Sequence, residues 1–199
     1  MTLSDRSLGW LRRLDRELRR SGGPDPADPA GIAATLGLLA RRTPAWTEPH
    51  LALLDVLATG LVAAVDAGDG DALAAAAVVL GVRSLLDGTT PATLDRGGAG
   101  AVPWSHTELV LRLADDVRAA RTTGTDDGTG ARTAARHVTA GLGLLLHDRR
   151  HGTDLHRSEF LPWWESTGRR LTGLDGSAPV TRFPIADVLA LAVRLAPQV

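Results

Sequence analysis

The chain has 199 residues, a formal net charge of −1, 44% hydrophobic and 23% charged residues, and no cysteine. That length and balance fit one globular domain able to fill its own core, and the missing cysteines exclude disulfides, thiolate metal sites and cysteine nucleophiles. A charge near zero creates no field toward nucleic acid or an anionic membrane, and without lysine there is neither a Schiff-base amine nor a P-loop cation.

Leucine (32) and alanine (31) dominate, whereas there are only two Ile, two Phe and no Tyr. Leucine and alanine favour helices, and little strand-forming material remains beyond Val and Thr. The expected fold is all-α: a single-domain bundle of about eight helices with a central antiparallel helical hairpin at 48–87. All 22 cations are arginine, and Asn is absent, which reads as the codon bias of a GC-rich bacterial genome. The longest uncharged apolar runs, 29–40 and 72–82, are too short to span a bilayer. Asp5 and Arg6 interrupt the region where a secretory signal would be apolar, so the expected location is the cytoplasm.

In chain order, Leu8, Leu11, Leu14 and Leu18 mark a first helix, which Gly22, Gly23 and Pro24 stop. A linker at 21–28 leads to Asp28–Pro29, a cap and first-turn pair that starts a second helix. Thr47, Glu48 and Pro49 open a third, with Leu51, Leu54, Leu57, Leu61 and Val65 in one stripe. The short turn AGDGD at 67–71 reverses the chain into a fourth helix running to about Asp87, which completes the hairpin. That fourth helix is apolar on nearly every side, with Arg83 its one interior charge, as befits the middle of a bundle.

The Gly/Thr/Pro segment 88–103 is the expected flexible loop, and 122–130 is a second. Between them Ser105 and Glu108 form a capping box ahead of a fifth helix with Leu109, Leu113, Val117 and Ala120 on one face. A sixth helix ends at Arg149–Arg150–His151–Gly152, cations in the last turn and then glycine. A seventh covers roughly 158–171, and an eighth starts near Pro184 and stops at Pro197.

Candidate chemistry gathers after residue 146. His147 and His151 are four apart, so a helix places both rings on one face, and His156 and Glu159 follow closely enough to supply further ligands. This set is the candidate site for a divalent metal or haem, although Arg149 and Arg150 between the histidines oppose a cation. His137 lies about 15 Å along the axis from His147 and cannot share its ion. Asp115 and Asp116 lack the third carboxylate that a Mg²⁺–diphosphate site would need, and no nucleophile elbow, dinucleotide fingerprint or Walker loop occurs.

The same region offers contact residues: Trp163 and Trp164, with Arg149, Arg150 and Arg157 as a local basic patch. Two adjacent indoles point about 100° apart on a helix, so one can anchor the bundle while the other faces a pocket or partner. There is no interleaving of aromatic and basic residues of the kind nucleic-acid binding uses. The leading functional expectation is a helical interaction or accessory subunit of a cytoplasmic multiprotein assembly, without catalysis of its own, acting through a protein partner or self-association. The alternatives are a small metal- or haem-dependent enzyme built on the histidine cluster, or a bundle that binds an apolar small molecule beneath the 88–103 loop.

Overall fold

The computed structural model describes residues 29–33, 37, 47–88, 93–96, 101–123 and 130–168. These are mostly helical, as the composition predicts, with four long elements: α1 (Thr47–Asp66), α2 (Gly70–Leu86), α3 (His106–Thr123) and α4 (Gly130–His151). A last helical stretch contains one short α turn, α5 (Leu161–Trp163), between two wider π turns, His156–Phe160 and Trp164–Gly168. Residues 29–33 are helical, in agreement with the Asp28–Pro29 start. The expected first helix, the 21–28 linker and the helix from Pro184 lie outside the described residues.

The turn between α1 and α2 shows how AGDGD works. Gly68 adopts a left-handed φ of +81° and its N–H donates to the Val65 carbonyl, while the Asp69 N–H reaches back to Ala64. That pair of bonds closes α1 as a Schellman motif, for which glycine is the least strained residue. Asp69 then caps α2: its carboxylate accepts from the N–H groups of Asp71 (2.8 Å) and Ala72 (3.3 Å).

Every residue of α2 from Ala74 to Val82 is buried, and the helix packs against α1, α3 and α4. Small residues set the approach to α4. A Cβ on Gly81 would stand 2.8 Å from the Cβ of Leu146, and one on Gly143 would stand 3.0 Å from that of Ala77. Arg83 leaves the apolar surface at its end and pairs with Asp55 of α1 at 2.6 Å. No described helix is long and apolar enough to cross a membrane.

α3 begins as its capping box requires. The Glu108 carboxylate accepts from the Ser105 N–H (2.8 Å) and hydroxyl (2.7 Å), and the Ser105 Oγ accepts from the Glu108 N–H (3.2 Å). Leu109, Leu113, Val117 and Ala120 are buried as their spacing predicts. The segment before it carries a feature that periodicity does not show: β1 (Thr93–Leu94) pairs antiparallel with β2 (Trp104–Ser105). Leu94 is the reason, because it is the large apolar side chain of that stretch and is buried in the core. α4 ends at His151, and Gly152, with φ +69°, takes the position after the helix that the sequence assigns to glycine.

Candidate functional site

Three imidazoles meet where the start of α3 lies beside the end of α4. His106 is the first residue of α3; His147 and His151 occupy the last turns of α4. Their ring centres are 5.4 Å apart for His106–His147, 4.5 Å for His147–His151 and 6.4 Å for His106–His151. His106 and His147 are buried, whereas His151 is exposed. Burial pushes the His106 imidazole down to about 4, helped by the neighbouring His147 and His151 and opposed by the Ala77 carbonyl. Neither His106 ring nitrogen makes a hydrogen bond of good geometry. His147 is also shifted down, by burial and by His151, against the pull of Asp148.

His147 is held by its neighbours on the chain. Its Nδ1 lies 3.0 Å from the Thr153 hydroxyl, which itself donates to the Asp148 carboxylate. Since that hydroxyl hydrogen is spent on Asp148, the Thr153 oxygen is left to accept, so His147 carries its proton on Nδ1 and its lone pair on Nε2. The Nε2 faces the Thr107 hydroxyl at 3.4 Å, a long contact. Asp148 also accepts from the backbone N–H groups of Leu155 (3.0 Å) and His156 (2.8 Å), so one carboxylate fixes the turn after α4, the next helical stretch and the orientation of His147.

Of the residues singled out as metal ligands, the structure brings together His147 and His151 and turns the other two elsewhere. The His156 ring packs on Phe160 at 5.1 Å. Glu159 receives Arg118 through both oxygens, at 3.0 and 2.7 Å, and Arg118 also holds Asp115 at 2.7 Å. Among the described residues, no three His, Asp or Glu side chains are arranged around one metal position as they stand.

The two indoles divide as their 100° separation predicts. Trp163 is fully buried, with His137 at 4.9 Å and Phe160 at 5.7 Å, so it packs the interior and offers no surface to a partner. Trp164 is half-buried and stacks on Phe160 at 5.9 Å, with Trp163 at 6.4 Å. Gly141 makes room for it: a Cβ there would come within 2.5 Å of the Phe160 ring. His137 is also pushed down to about 4, by burial and then by Arg136. Among the arginines, Arg150 reaches across to the Ser84 hydroxyl (3.2 Å) and the Gly88 carbonyl at the end of α2, Arg149 is half-buried and Arg157 is exposed.

A second group at the surface surrounds Trp104. Its indole N–H donates to Asp66 at 2.8 Å, and the guanidinium groups of Arg112 and Arg96 lie 4.0 and 5.1 Å from the ring centre. Arg96 also pairs with Asp66 at 2.9 Å. Among the described residues, Val102 and Leu111, close in sequence to Trp104 and Arg112, are large apolar side chains left exposed, at 73% and 49%. Compared with protein families, curated proteins and solved structures, the chain matches none.

Sequence reasoning missed His106, Thr153, the second role of Asp148 and the Trp104 group. A signal for Asp148 exists: a carboxylate in the last turn of a helix opposes the dipole unless something else needs it. His106 carries no such mark, because its partners are 41 and 45 residues away and only the α3–α4 packing brings them near.

Proposed function

We propose that the chain is a helical interaction or accessory subunit that works by contact with a protein partner. Its scaffold is a bundle of about eight helices, with the 48–87 hairpin at the centre. The observation that carries this reading is the Trp104 group. An indole flanked by Arg96 and Arg112, close in sequence to exposed Val102 and Leu111, combines the two residue types richest in binding hot spots with apolar side chains open to solvent. The hydrogen bond to Asp66 and the short ladder with Thr93–Leu94 hold the indole in place, so little side-chain freedom would be lost on contact. Trp164 and Arg157 extend the choice of contacts, while Trp163 belongs to the core.

Affinity capture followed by reconstitution from purified components tests this. On size exclusion with light scattering, the mass should rise above 20.9 kDa by that of the partner. Trp104→Ala and Arg112→Ala should each weaken the complex by about 2 kcal/mol or more, in the range of hot-spot truncations. A complex of unchanged affinity in both variants would remove this surface from the proposal.

A further inference from the structure

We propose that His106, His147 and His151 form a three-imidazole site for one divalent transition-metal ion of the Zn²⁺ type. This goes beyond the interaction reading and does not depend on it. Three imidazoles that ligate a tetrahedral ion at about 2.0–2.1 Å hold their ring centres about 5 Å apart. His106 and His147, at 5.4 Å, already meet that spacing. His151 is too near His147, at 4.5 Å, and too far from His106, at 6.4 Å. The ring that must move is therefore the exposed one, at the last residue of α4, where rotation about its own side-chain bonds leaves the core undisturbed.

The other two rings are prepared. The Asp148–Thr153 pair keeps the proton of His147 on Nδ1, and an ion would replace the long Thr107 contact at Nε2, the carboxylate-backed arrangement that metal-binding imidazoles use. His106 is buried, with the Ala77 carbonyl beside its ring but no hydrogen bond of good geometry, and an ion would take the nitrogen that this carbonyl leaves. Arg150, whose charge sits between the two α4 histidines in sequence, is directed away to Ser84 and Gly88 on the α2 side. Three protein ligands leave the fourth position of a tetrahedral ion to water.

The test uses the full untagged chain, freed of metal by chelation, and titrates it with Co²⁺ and with Zn²⁺. One equivalent should bind, with the visible ligand-field bands of tetrahedral Co²⁺, and Zn²⁺ should displace it and raise the melting temperature. His106→Ala, His147→Ala and His151→Ala should each weaken binding by about tenfold or more, and Thr153→Val should weaken it less. His156→Ala and Glu159→Gln should leave it unchanged. Because His151 is exposed, its replacement keeps the fold, so loss of binding in that variant reports on ligation. No saturable binding of either ion, or binding that survives His151→Ala, or binding that His156→Ala abolishes, would overturn the proposal.

Discussion

His137 and His147 lie on the same helix and are both buried, yet they sit in different chemistry. His137 packs beside the Trp163 ring at 4.9 Å, which in turn meets Phe160 at 5.7 Å, and feels the charge of Arg136. His147 has a hydroxyl on one nitrogen, a carboxylate behind that hydroxyl, and two further imidazoles within 5.4 Å. Burial moves both in the same direction, so a lowered pKa does not separate them. What separates them is the Thr153 hydroxyl on Nδ1, which gives His147 a defined tautomer with its lone pair on Nε2. The first environment serves packing, the second can hold a ligand. Perturbing each should therefore change different observables.

The largest effect belongs to the packing side. Trp163→Ala empties the centre of the aromatic cluster and should lower unfolding stability by about 3–5 kcal/mol, as buried Trp truncations do. Equilibrium denaturation measures it. His151→Ala, at the exposed edge of the other cluster, should change stability by no more than about 0.5 kcal/mol. Similar losses in the two variants would erase the distinction between core and site.

The next effect is on pH dependence. Burial pushes His137 down to about 4 in the folded chain, against an ordinary imidazole value of 6.5 when unfolded. Between those values the unfolded chain binds the extra proton, so stability falls as the pH drops through that window and levels off below it. A difference of this size corresponds to a loss on the order of 3 kcal/mol when complete. Denaturant midpoints across pH 4–7 should fall at least that steeply, because burial holds His106 down to about 4 as well, and His137→Leu should flatten the curve without abolishing it. An unchanged slope in the variant would show that His137 stays neutral in both states or takes its proton without penalty.

The two environments were also unequally visible before the structure. Local rules governed most of the described fold: the Ser105–Glu108 box, the Asp69 cap, Gly152 after α4 and the apolar run of α2 all follow from residues within a turn of one another. The Thr93–Leu94 ladder did not show, because two residues are too few to display a period and Leu94 is drawn in by tertiary burial. At the site, the helical spacing of His147 and His151 placed their rings together correctly. It could not place His106, which arrives through helix packing. Nor could it anticipate that Glu159 is occupied by Arg118, or that His156 turns to Phe160. Side-chain spacing along one helix says which groups can meet; the competing partners on other helices decide which of them do.

The smallest effect tests the hydrogen-bond relay directly. Thr153→Val keeps the shape of the side chain and removes the oxygen that accepts from His147 and donates to Asp148. The loss should be about 1 kcal/mol, because Thr153 is exposed and water replaces its bonds, with the backbone bonds from Leu155 and His156 to Asp148 still in place. Stability is the weaker readout here. In the parent chain, the ring nitrogen shifts of His147 should report a proton fixed on Nδ1; in the variant they should move toward a mixture of the two tautomers. His137, which has no part in the relay, supplies the control within the same spectrum, and its shifts should stay where they are. If His147 kept its tautomer without the hydroxyl, the ring would be oriented by packing alone, and His137 and His147 would differ in their surroundings but not in how they are held.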